Sequence, residues 1–85
     1  MGIVVNQIKK DAAFKDANNN IIHILESTIE KNWQSVKGKL KYSILYENGK
    51  ITSHVSSFEA FQNKMVGFNL ISKSELAKRY DQLAG

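Results

Sequence analysis

The sequence predicts a small α+β domain with elements in the order α-α-β-β-α-α and a central antiparallel hairpin packed on helices. Three observations predict it. An apolar stripe at helical spacing runs over residues 21–37, the period changes to two after Gly38 and leads into Asn48-Gly49, and two Ser-x-x-Glu boxes follow. At 85 residues the chain suffices for one domain, 1–85, and its 42% apolar and 24% charged residues are ordinary for a globular chain.

The first segment carries two signals. Ile3, Val4 and Val5 are β-branched and favour a strand, while Val5, Ile8 and Ala12 fall at helical spacing. From Asp11 onward, Ala12, Ala13, Lys15 and Ala17 favour helix, which predicts a helix over most of 4–17. The run Asn18-Asn19-Asn20 ends it. Ile22, Leu25, Ile29, Trp33 and Val36 then recur at steps of three and four, predicting a helix over about 21–37. Asn20 would cap its start and Gly38 close its end, with Trp33 as the largest member of a main core wall.

After Gly38, Leu40, Tyr42, Ile44 and Tyr46 alternate with Lys39, Lys41, Ser43 and Leu45. Asn48-Gly49 is the preferred pair for a two-residue type I′ loop, since both positions need positive φ. That loop places Glu47 opposite Lys50, Tyr46 opposite Ile51, Ile44 opposite Ser53 and Tyr42 opposite Val55. Leu40, Tyr42, Ile44, Tyr46, Ile51 and Val55 then share a buried side, and Lys41, Ser43, Leu45, Thr52, His54 and Ser56 share a polar one.

Ser56 and Glu59 form the first capping box, with Phe58, Phe61 and Met65 on one face of the helix and Gly67 ending it. Ser72 and Glu75 form the second, stapled by Ile71 and Leu76, with Leu76, Tyr80 and Leu83 as the inner stripe. Phe68, Leu70 and Ile71 between them form a short extended piece, a third strand or a crossing of the core.

The chemistry is mostly negative. Without cysteine there is neither a disulfide nor a thiolate metal site. The glycines Gly2, Gly38, Gly49, Gly67 and Gly85 are never clustered, so no phosphate-binding loop is written in the chain. His23 and Glu26 are spaced as two metal ligands on a helix, but zinc needs further ligands and no such spacing occurs. His54 lies near Ser43 and Ser56, yet a flat strand face offers no orienting acid, oxyanion site or cleft. The expectation is a non-enzymatic chain with no catalytic residue, no cofactor and no metal. No apolar run approaches the roughly 20 residues of a membrane-spanning helix. The N-terminus lacks a secretory pattern, so a cytoplasmic chain is expected.

The net charge is +4, and Arg79 is the one arginine among 12 basic residues. Base readout favours Arg, whereas Lys meets phosphate as a point charge. Lys37, Lys39 and Lys41, with Ser43 and His54 beside them, are candidates for tracking a phosphate backbone, though lysines also simply solvate an edge. The hairpin edge is the other candidate, with Leu45 as an apolar anchor for a partner strand, and the same edge can take a second copy of the chain as a homodimer. The leading expectation is a small regulatory protein acting by protein–protein contact, of a size that fits an inhibitor or adaptor from a phage or mobile element. The alternative is a nucleic-acid-binding protein using the Lys-rich patch. For either, the candidate partner-binding residues are Lys37, Lys39, Lys41, Ser43, Leu45 and His54.

Overall fold

A computed structural model describes residues 7–31 and 36–84. Its elements are β1 (Ala13–Lys15), β2 (Ile21–Lys31), β3 (Val36–Leu45), β4 (Ile51–Ser57), α1 (Phe58–Lys64), β5 (Asn69–Ile71) and α2 (Lys73–Ala84). The strands form one antiparallel sheet in the order β4-β3-β2-β1-β5. The expected order α-α-β-β-α-α is therefore wrong: the chain is mostly strand, and both helices expected before Gly38 are absent among the described residues. Residues 4–6 of the first expected helix, and Trp33, lie outside the described residues.

The misleading stripe over 21–37 has a physical origin. Ile21, Ile22, Ile24, Thr28 and Ile29 are β-branched, and β2 accommodates them as a strand. Its pairing with β3 shifts between Ile24 and Glu26, leaving Leu25 as the extra residue of a bulge. Before the bulge, Ile22 and Ile24 share one side, and after it Ser27 and Ile29 take over that side. The break in parity puts Ile22 and Ile29, seven residues apart, on one side with Leu25 at the bulge between them, which reads as steps of three and four. Gly38, expected as a helix cap, sits inside β3 opposite Ile29. A Cβ there would lie 2.2 Å from the Thr28 carbonyl oxygen and 2.7 Å from Ile29 Cα, so the two backbones approach too closely for any side chain.

Two tight hairpins repeat one construction. Tyr46 N–H donates to the Lys50 carbonyl (2.8 Å) and Gly49 N–H to the Tyr46 carbonyl (3.0 Å). Asp16 N–H donates to the Asn20 carbonyl (3.1 Å) and Asn19 N–H to the Asp16 carbonyl (3.2 Å). Each is a three-residue loop whose last residue is left-handed, Gly49 at φ 95° and Asn19 at φ 67°. The expected two-residue loop at Asn48-Gly49 is thus one residue too short. Leu45 pairs with Ile51, Ile44 with Thr52 and Tyr42 with His54, so every β4 side chain changes side relative to the expectation.

The sheet is covered on both sides. Phe14, Ile22, Ile24, Leu40, Tyr42 and Ile44 pack with Phe58, Phe61 and Met65. Their chain neighbours Ala13, Ile21 and Leu45 point the other way and pack with Leu76, flanked by Ile71, Tyr80 and Leu83. Helix α1 starts one residue later than expected, with the Ala60 N–H donating to the Ser57 hydroxyl (3.2 Å). Helix α2 starts at the expected cap, with the Glu75 N–H donating to Ser72 Oγ (3.1 Å). The short extended piece is β5, which pairs with β1 rather than the hairpin.

Candidate functional site

Among the described residues the sheet has two free edges, β4 and β5, and one uncovered surface. That surface is the α2 side of the sheet beyond the helix, where Glu26, Thr28 and Glu30 stand opposite Lys41, Lys39 and Lys37, all exposed. Lys39 and Lys41 therefore come together as the two-residue period required, and Lys37, expected at the end of a helix, joins them because β3 already begins at Val36. Two acids on the neighbouring strand intersperse them, which weakens any continuous positive field for a phosphate backbone. Strand β4 continues the surface, placing Val55 beside Lys41 and Ser57 beside Lys39.

The other three expected residues are not brought to this surface. Leu45 is fully buried under α2 in the cluster of Ala13, Ile21 and Leu76, so it anchors a helix rather than a partner. Ser43 is buried on that same side. His54 faces the opposite way, paired with Tyr42, its ring stacked on the tyrosine at 5.2 Å and its Nε2 2.7 Å from Thr52 Oγ1. The expected polar face bearing Ser43, Leu45 and His54 together does not exist. In their place the one-residue slip exposes Ile51 and Val55, at 49% and 71%.

The β4 backbone can be followed from the loop. Because the Lys50 carbonyl accepts from Tyr46 N–H across the hairpin, Thr52, His54 and Ser56 direct their N–H and C=O groups to β3, while the Lys50 N–H turns to Asn48 Oδ1. Ile51, Ser53, Val55 and Ser57 alternate with them and aim theirs at the free edge. The same four residues put their side chains on the exposed surface. This edge strand spans seven residues, Ile-Thr-Ser-His-Val-Ser-Ser, with no Asp, Glu, Lys, Arg or Pro.

A second constellation joins distant parts of the chain. Tyr80 Oη lies 2.6 Å from His23 Nδ1, and His23 Nε2 lies 3.4 Å from Asp11 Oδ1. Burial pushes the Tyr80 phenol above its ordinary value. Because the Asp11 carboxylate can only accept, Nε2 faces it as the donor and Nδ1 accepts from the Tyr80 hydroxyl. In neutral His23 the ring hydrogen then sits on Nε2, facing the carboxylate. The order of groups is that of a nucleophile, a base and an orienting acid. The trio ties α2 to β2 and to the turn at Asp11. Nearby, buried Arg79 donates to the carbonyls of Asn19 (2.8 Å) and Leu45 (3.4 Å), so one side chain braces both hairpins.

His23 is thus a partner of Tyr80 rather than of Glu26, and no cluster of three or more potential metal ligands occurs among the described residues. Nothing local in the sequence announces a contact between residues 57 positions apart. No described helix is long and apolar enough to cross a membrane. No family model, curated protein or solved structure matches the chain.

Proposed function

We propose that the chain is a non-enzymatic regulatory module that acts by contact with a protein along the free edge of β4 and the adjoining surface of Lys39, Lys41 and Val55. The observation that carries this reading is the character of β4. Proteins blunt a free edge with Lys, Pro, a bulge or an inward charge, because unpaired N–H and C=O groups otherwise capture another strand. Strand β4 uses none of these and adds Val55, 71% exposed, beside its outward amides. Main-chain hydrogen bonds would supply affinity and Ile51 and Val55 specificity, as in strand addition generally. A cytoplasmic setting is part of the same proposal and is read by fractionation.

The test places a photo-crosslinking residue at Val55 in cells, with the same residue at exposed Lys78 on α2 as control. Protein adducts specific to Val55, and lost on Ser53→Pro, are expected. Ser53 N–H points outward, so proline there blocks an incoming strand while leaving the bonds to β3 in place. Adducts equal at both positions, or adducts to nucleic acid alone, would refute the reading.

A further inference from the structure

We infer that the strand received by β4 is β4 of a second copy, paired antiparallel about a two-fold axis at Ser53. This rests on β4 being the contact edge and names what occupies it. Three properties of the strand support a self-pair. First, the outward groups sit at Ile51, Ser53 and Val55, so hydrogen-bonded pairs must join odd-numbered residues to odd-numbered residues. Centring on Ser53 satisfies this, with Ser53 meeting its own copy and Ile51 meeting Val55 twice. Six N–H and C=O groups per chain, on three residues, are thereby paired.

Second, this register alone sets the edge's two exposed apolar side chains against each other. Opposite residues share a side of the sheet, so Ile51 and the copy's Val55 cover one another on the exposed surface. Centring on His54 would put Ile51 opposite Ser57 and Val55 opposite Ser53, and centring on Val55 would leave Ile51 without a strand partner. The Ser53 centre also shifts the contact towards the loop, away from α1, which begins at Phe58.

Third, the net charge of +4 does not oppose the pairing. The strand itself carries no charge. Lys41, the nearest cation on that surface, lies one strand in and level with Val55, so its two copies are three strand spacings apart across the sheet and four residues apart along it, a separation of about 20 Å. Screening at physiological salt acts over about 8 Å. A contact of two short strands is narrow, so the dimer belongs to the weak, concentration-dependent class.

The purified 85-residue chain tests this directly, since it has no cysteine of its own. Cα atoms in a hydrogen-bonded antiparallel pair lie about 5.5 Å apart, within the range a disulfide spans. Ser53→Cys is therefore expected to oxidise to a covalent dimer at least ~10-fold faster than Val66→Cys, an 82% exposed control, because pairing raises the local thiol concentration. Sedimentation equilibrium of the unmodified chain should show mass rising towards the dimer with concentration, and Ser53→Pro should stay monomeric with unchanged far-UV circular dichroism. A monomer at every concentration with no advantage for Ser53→Cys overturns the inference. So does faster crosslinking of His54→Cys or Val55→Cys, which would report a different register. If the purified chain is monomeric while Val55 still captures another protein in cells, the second copy is wrong and the contact edge stands. If Val55 captures nothing, both fail.

Discussion

On one side of the sheet, Phe58, Phe61 and Met65 of α1 and its cap sink among Phe14, Ile22, Leu40, Tyr42 and Ile44. On the other, α2 meets only Ala13, Ile21 and Leu45 with Leu76, then adds Arg79 on two carbonyls, Tyr80 on His23, and an ion pair between Glu75 and Lys15. The longer helix has the smaller apolar seat and compensates with directional bonds. Apolar packing tolerates small shifts of a helix, whereas hydrogen bonds to fixed carbonyls set its position along the sheet. The two sides should therefore respond differently to substitution.

The largest effect is expected on the apolar side. Phe61 is fully buried, with its ring edge-on to Tyr42 at 5.1 Å. Phe61→Ala should cost about 3–5 kcal/mol, a large part of the roughly 4–13 kcal/mol expected for a chain of this length. Urea denaturation measures it. A loss below that of Arg79→Met would reverse the contrast.

Arg79→Met is expected next, at about 2 kcal/mol, since it keeps the aliphatic stem and removes charged hydrogen bonds. Its signature is local. Amide exchange should accelerate in α2 and in the turns at 16–20 and 46–50, which the guanidinium joins, while α1 keeps its protection. Uniform acceleration would mean that α2 has no separate anchor.

This two-sidedness is also where sequence reading stopped. Several signals of the C-terminal half were legible because they are local: the Ser72 cap, the Leu76–Tyr80–Leu83 stripe and the alternation from Leu40 to Tyr46 act within a few residues, whereas the cap of α1 fell at Ser57, one residue after the expected Ser56. The bulge at Leu25 was not legible, since one unpaired residue converts strand spacing into helical spacing. The loop at 47–49 was not either, because Asn-Gly suits a two-residue turn and Gly alone suits the end of a three-residue one. Of the candidate site, Lys39 and Lys41 fall together in any register, as they lie on one strand, whereas Lys37 was expected at a helix end and joins them only because β3 starts at Val36. His54 depended on the register and moved to the other side. Leu45 did carry a signal: an apolar residue in a polar row marked a second helix over that side, and it reads as an exposed anchor only if the sheet is covered once.

The smallest effect is expected at Tyr80, and its pH dependence separates the hydrogen bond from simple packing. Tyr80→Phe keeps the ring against His23, edge-on at 5.6 Å, and removes the hydroxyl, costing about 1 kcal/mol near neutral pH. Burial raises the folded phenol above its ordinary value of 10.0. As pH climbs past that value the unfolded chain loses this proton first, so deprotonation favours unfolding until the folded phenol also titrates. The phenol's contribution is complete below about pH 10 and declines above it. The stability gap between the native chain and Tyr80→Phe should accordingly hold up to about pH 10 and shrink as pH rises towards about 11 in urea titrations. A gap that stays constant across that window would mean the phenol is not held in its protonated form by the fold, and that α2 is seated on this side by Leu76 and Arg79 without help from His23.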